Sequence, residues 1–205
     1  MKREEKNQQM RRRIMDSALT EFSKKGYGAS SVNTICSAQE ISKGILYHYF
    51  DTKDGLFLAC VTECFTLLTE FMKEKMQVTE GSPQAQLEAY FKARMAFFEE
   101  YPVYRRIFCE AVVTPPEHLV EKIQECRQDF DKLNIRTLEG LLEPIELRPD
   151  VTKAEAIEIF RRFQDSFHAN YPIVEFSSQE FQNHEESCRK IVDILLYGIV
   201  DRKKE

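Results

Sequence analysis

The chain has 205 residues, of which 42% are hydrophobic and 31% charged, and its formal net charge is −5. That balance fits one large or two small globular domains with length enough for a real core, and it excludes a disordered chain. There is no apolar run of roughly eighteen residues or more, and the opening Met-Lys-Arg-Glu-Glu-Lys-Asn is polar. Neither a membrane span nor a secretory leader is therefore expected, and the cytoplasm is the default location.

The overall acidity hides an asymmetry. Residues 1–55 hold ten Lys/Arg against seven Asp/Glu, whereas the remainder holds 19 against 27. The basic excess is sharpest at Lys2, Arg3, Lys6, Arg11, Arg12 and Arg13, opposed only by Glu4 and Glu5. A basic head on an acidic body points to nucleic acid, although a solvated charged end has the same composition. The six cysteines (36, 60, 64, 109, 126 and 188) form no CxxC pair and no Cys/His cluster of zinc spacing. They read as small buried hydrophobes in a reducing compartment, and no metal or cofactor is expected.

Seven Gly, seven Pro and few alternating β-branched runs predict an all-α chain of about nine helices. The first runs from about Asn7 to Lys25 with Ile14, Ala18, Leu19 and Phe22 on its buried stripe, and Gly26 ends it. Ser30 or Ser31 caps a short second helix carrying Val32, Ile35 and Cys36. Ser42 caps a short third helix, in which Leu46 and Phe50 lie four apart and share the buried face. Thr52 caps a longer fourth helix that reaches about Met76. After the Glu-Gly-Ser-Pro break at 80–83, helices are predicted at about 83–100, 102–113, 117–142, 152–171 and 178–202, punctuated by prolines. The expected division is a helix-turn-helix head over 1–52 and a larger helical body over 53–205.

The second and third helices have helix-turn-helix spacing, with a tight turn near Gln39-Glu40-Ile41. Here Phe22, Gly26-Tyr27, Val32, Ile35, the run Ser42-Lys43-Gly44-Ile45-Leu46-Tyr47-His48-Tyr49-Phe50, Lys53 and Leu56 resemble the head of the TetR family of bacterial transcriptional regulators. The resemblance covers about the first quarter of the chain; beyond Lys75 only length and helicity agree. It implies a recognition helix that opens at Ser42, with Lys43, Gly44 and Ile45 closest to base edges and His48 facing the groove. Tyr47, Tyr49 and Lys53 would meet phosphates, the last helped by the dipole of the fourth helix, and Asn33 and Arg11–Arg13 are weaker backbone candidates. Tyr47 and Tyr49 also read as rim aromatics against the first helix. Three positions depart from the family pattern. Gln39 and Glu40 stand where a small residue and glycine are usual, so that a non-glycine residue is asked to take positive φ or the turn is reshaped. Gly55 stands where an acidic residue often completes a capping box after Thr52.

Residues 90–171 hold eight of the fifteen phenylalanines and four tyrosines, enough to build a core or to leave an apolar cavity between helices. The resemblance implies a small-molecule effector there. Candidate lining residues are Phe97, Phe98, Phe108, Phe130, Phe163 and Phe167, with Glu99, Glu110, Asp165 and His168 as polar determinants. It also implies a homodimer on a palindromic operator, paired through the helices at 152–171 and 178–202. The wide apolar stripe from Phe181 to Ile199 agrees with that pairing. Two alternatives stay open: a DNA-binding regulator without a small-molecule ligand, and a helical enzyme acting on an apolar molecule. No catalytic constellation supports the enzyme, because the histidines at 48, 118, 168 and 184 are scattered.

Overall fold

The computed structural model describes residues 3–76, 82–170 and 177–199, and no β-strand occurs among them. The helices are α1 (Arg3–Ala29), α2 (Val32–Ala38), α3 (Lys43–Tyr49), α4 (Lys53–Met76), α5 (Pro83–Glu100), α6 (Tyr104–Val112), α7 (Val120–Cys126), α8 (Gln128–Leu142), α9 (Lys153–Asn170) and α10 (Ser178–Ile199). A 3-10 turn at Glu117–Leu119 precedes α7.

Two compact units result. One joins the residues up to Leu67 with Tyr101–Gln128, and the other joins Leu68–Glu100 with the residues from Asp129 onward. This partition does not coincide with the expected boundary at residue 52, because the first half of α4 and the whole of α6 and α7 belong with the head.

In the first unit, α1 presents Ile14, Ala18, Leu19 and Phe22, none more than 3% exposed, to Ile35 of α2, Leu46 of α3 and Ile107 of α6. The predicted stripe of α1 is therefore the real one, although the helix starts earlier, at Arg3. Gly26 breaks α1 with φ 73° and ψ 173°, a region open in practice to glycine alone. A Cβ there would lie 1.9 Å from Glu110 Oε1. By length and composition α4 could cross a bilayer. Its apolar residues nevertheless recur every three or four positions, and Leu56, Phe57, Cys60, Cys64, Leu68 and Met72 are fully buried, so they form a core stripe.

In the second unit, α5 packs on α10, and α10 on α9. Phe97, Phe98 and Phe181 stack edge to face, with centroids 5.0 and 4.9 Å apart. The charged group in this core is Arg94, 1% exposed. Its Nε donates to Glu185 Oε2 at 2.5 Å and its Nη1 to the Tyr90 hydroxyl at 3.2 Å, while Tyr90 donates to Asn134 Oδ1 at 2.7 Å. Nη2 also lies 2.5 Å from Oε2 but has no aligned hydrogen bond. Burial opposes ionisation of Glu185, yet the Arg94 charge prevails and lowers its pKa.

The predicted single helix over 117–142 divides at Arg127, whose backbone (φ −100°, ψ 3°) closes α7. Leu119 and Ile123 belong to the first core and Phe130, Leu141 and Leu142 to the second, so the break lets each stripe follow its own core. The predicted end of the last helix at 202 lies outside the described residues, as do residue 171 and Glu80-Gly81. Ser82 Oγ accepts from Ala85 N–H at the start of α5.

Candidate nucleic-acid interface

The interface begins with how α2 ends. Ser31 Oγ accepts from Asn33 N–H at 3.2 Å and so caps the start of α2. At the other end, Glu40 takes φ 53° and is the one non-glycine residue at positive φ among those described. Its N–H bonds to Ser37 O and the Ile41 N–H to Cys36 O, the paired closure of a Schellman motif, with Ile41 buried beneath it. The turn keeps the geometry for which glycine is the usual residue, so Glu40 bears the strain and the turn is not reshaped.

Two contacts from α1 hold this turn. Arg13 Nη2 donates to the Gln39 carbonyl at 2.9 Å, satisfying an oxygen left over at the end of α2. Ser17 Oγ donates to Ile35 O at 2.8 Å from a buried position. Of the other two arginines in the expected phosphate-contact cluster, Arg12 pairs with Asp16 and Glu63, and Arg11 lies over the Phe50 ring at 5.1 Å. Arg12 and Arg13 thus spend their guanidinium groups on the fold. Sequence reasoning missed this because both partners are distant in the chain.

Ser42 then caps α3, accepting from Ile45 N–H at 3.3 Å. Leu46 (0% exposed) and Phe50 (6%) turn inward as predicted. Lys43, Gly44, Ile45, Tyr47 and His48 are exposed, and Tyr49 is half-buried with its ring edge-on to His48. At 39% and 44% exposure, Ile45 and Tyr47 present large apolar area to solvent on a very short helix. Ser42, Gly44, Ile45, His48 and Tyr49 form one wall of an open groove whose other wall is the start of α1, with Arg3, Lys6, Asn7 and Met10. Those four residues were not singled out individually from sequence. Their spacing of three to four residues is the signal that places them on one face.

Asn33 is exposed on α2. Lys53 is half-buried, its ammonium 4.5 Å from the Tyr27 ring centroid. Thr52 Oγ1 accepts from Gly55 N–H at 3.0 Å, so the cap forms without the acidic partner. The carboxylate of Asp54 turns instead to the Tyr27 hydroxyl and to His118 Nε2, 3.3 Å away. Burial and then Asp54 push the Tyr27 hydroxyl up to about 12, so it is a donor at any ordinary pH.

Behind this face, α6 clamps the break in α1. Arg106 donates to the carbonyls of Lys24 (2.7 Å) and Lys25 (3.0 Å), and Glu110 accepts from Tyr27 N–H at 2.8 Å. Glu110 was expected at a ligand cavity; it is committed here, and Phe108 packs on Phe65 in the same unit. Burial raises the Glu110 pKa against the lowering by Tyr27 and Arg106.

The other expected ligand residues are not gathered around a cavity. Phe97, Phe98 and Phe130 are core residues of the second unit, and Phe163 stacks on Phe167 at 5.8 Å. Glu99 is exposed. The side chains of Asp165 and His168 lie outside the described residues. A small cavity does exist in the second unit, about 40 Å³, but different residues line it, among them Leu87, Phe91, Asn134 and Phe160. Among the described residues, no group of three or more His, Cys, Asp or Glu is placed to hold a metal.

Residues 14–60 match the family described as bacterial regulatory proteins, tetR family. The chain is 26% identical over 127 residues to the negative transcriptional regulator IcaR of the Staphylococcus aureus biofilm operon icaADBC. That match covers 60% of this chain and 66% of the relative. IcaR of Staphylococcus epidermidis is 23% identical over 181 residues, 85% of this chain and 94% of that one. The fold is similar to that of the transcriptional regulator FadR of Bacillus subtilis, solved with stearoyl-CoA, with a TM-score of 0.66 at 16% identity over 91% of this chain and 98% of the other.

Proposed function

This chain belongs to the TetR family of bacterial regulatory proteins, and from that premise we propose that it is a transcriptional repressor that binds a palindromic operator as a homodimer and leaves it when a small apolar or aromatic molecule occupies the body. The observation that carries the DNA-binding reading is the exposed run Lys43, Gly44, Ile45, Tyr47 and His48 on a capped helix, presented by a turn pinned to α1 through Arg13. Such a helix enters a major groove N-terminus first, with Lys43 and Ile45 towards bases, His48 deeper along the groove, and Tyr47, Tyr49, Asn33 and Lys53 towards phosphates.

One short helix reads only a few base pairs, so pairing two heads on a palindrome multiplies the discrimination. In support, Ile159 of α9 and Ile194 of α10 are 45% and 66% exposed, which is apolar area fitted to a second copy. Ligand release then needs an effector that binds more tightly to the arrangement with heads too far apart for adjacent half-sites. The test is selection of genomic fragments on the purified protein, followed by titration at two salt concentrations. A recovered palindrome whose affinity drops on Lys43→Ala supports the reading. Binding indifferent to sequence at both concentrations refutes it. A second reading, regulation without a small molecule, is favoured by the nearly closed body with its cavity of about 40 Å³.

A further inference from the structure

The small cavity in the second unit lies among α5, α8, α9 and α10. Leu87, Phe91, Leu141 and Phe160 supply apolar walls, and Tyr90, Asn134 and Gln164 are the principal polar side chains. Its polarity is entirely uncharged. Tyr90 donates to Asn134 Oδ1, which leaves the Asn134 amide N–H groups available, and the Gln164 amide has no hydrogen-bond partner among the described residues. The nearest charges stand behind Tyr90, where Arg94 and Glu185 neutralise each other and His184 Nδ1 lies 3.2 Å from the second Glu185 oxygen. A ligand carboxylate brought here would add a net buried negative charge beside Glu185, and an ammonium would add a positive one beside Arg94. Neither has a free counter-ion. A carbonyl or ester oxygen, by contrast, meets unspent amide donors at no charge cost.

At about 40 Å³ the closed cavity has room for little more than water. Phe91, however, lines both this cavity and a groove of about 370 Å³ between α5 and α10, bordered by Glu88, Lys92 and Arg189. Rotation of its ring joins the two spaces and brings them into the range of small-molecule sites, about 300–1,000 Å³. The groove's charges flank an entrance, and the cavity beyond it is neutral.

We propose that Phe91 gates a binding site for an uncharged molecule with an apolar body and one hydrogen-bond-accepting group, held by Asn134 and Gln164. The site rests on the reading of the chain as a ligand-responsive regulator and names the chemistry of that ligand. It is tested on the full chain without DNA, by calorimetric titration and thermal melting. The neutral probes are 2-nonanone, methyl octanoate and acetophenone, set against nonanoate and nonylamine. At least one neutral probe binds at least tenfold more tightly than the charged probes, Phe91→Ala tightens or speeds that binding, and Gln164→Leu weakens it at least fivefold with the melting temperature of the free protein little changed. Asn134→Leu gives a second reading of the same donors should the Gln164 variant be unstable. Nonanoate or nonylamine binding as well as its neutral counterpart overturns the proposal. So does failure of every neutral probe to bind both wild type and Phe91→Ala. Adding the bound probe to the protein–DNA complex separates the two readings: binding without release of DNA keeps the site and removes its regulatory role. No binding with normal operator affinity removes the site alone.

Discussion

Glu40 sits at φ 53°, a conformation that costs a non-glycine residue on the order of 1 kcal/mol because Cβ crowds the carbonyl oxygen. It also holds a negative charge next to the helix that faces DNA. The two effects separate by substitution. Glu40→Gly relieves the strain but enlarges the unfolded ensemble, so the net gain in stability is about 0.5 kcal/mol. Glu40→Gln keeps the strain and removes the charge. Both variants are expected to bind operator more tightly than wild type, with only the glycine variant unfolding at higher urea. Equal stability of the two would show that the turn is unstrained.

Glu110 gives a second residue-level expectation. Its pKa is raised above the ordinary carboxyl value, so the folded chain holds this proton more tightly than the unfolded one. Its contribution to stability therefore falls as pH rises through the window between the unfolded and folded values. Urea denaturation of wild type and Glu110→Gln from about pH 4 to 7 covers that window. The stability of wild type relative to the variant should decline with rising pH; a constant difference contradicts the shift.

At the scale of elements, the head was largely legible. Ile14, Ala18, Leu19 and Phe22 follow a helical period, Ser42 and Thr52 announce caps, and Leu46 with Phe50 defines an inner face, all of which depend on residues close in sequence. Arg13 was legible only as a positive charge, because its partner is a carbonyl 26 positions away. The ligand candidates failed for a related reason. Phe97, Phe108 and Phe130 show the aromatic spacing of a buried face, but spacing does not say whether that face meets a neighbour or a void. Arg94 offered no local sign at all, since its buried partner lies 91 residues on. That ion pair gives a prediction about α5 and α10. Arg94→Met alone leaves Glu185 buried without its counter-charge and should cost about 3–5 kcal/mol, whereas Arg94→Met with Glu185→Leu should fall within about 1–2 kcal/mol of wild type. Equal losses in single and double variants, measured by urea denaturation, would mean that the pair itself holds the two helices together.

For the whole molecule, the expected assembly turns on the apolar area of the last two helices. Ile194, at 66% exposure, can be changed without disturbing a monomer's core, so Ile194→Glu should leave helicity and melting cooperativity intact. Light scattering should then report a monomer, and operator affinity should fall by at least tenfold because each head is left with one half-site. A variant that stays dimeric would place the pairing surface elsewhere. Charge distribution acts at the same scale: the acidic remainder of the chain repels DNA while the first 55 residues attract it, which favours approach head first.

The clamp of α6 on α1 has a consequence for the order in which the protein is made. Tyr27 and Glu110 are 83 positions apart, and the first unit is not complete until the chain has been extended through residue 128. A ribosome adding about 5–20 residues per second therefore leaves the head waiting several seconds with the Gly26 break unclamped and the apolar face of α1 lacking Ile107 and Phe108. The segment that meets DNA emerges first and matures late, and a truncated chain ending before Tyr101 would carry the whole recognition helix on an unfinished core.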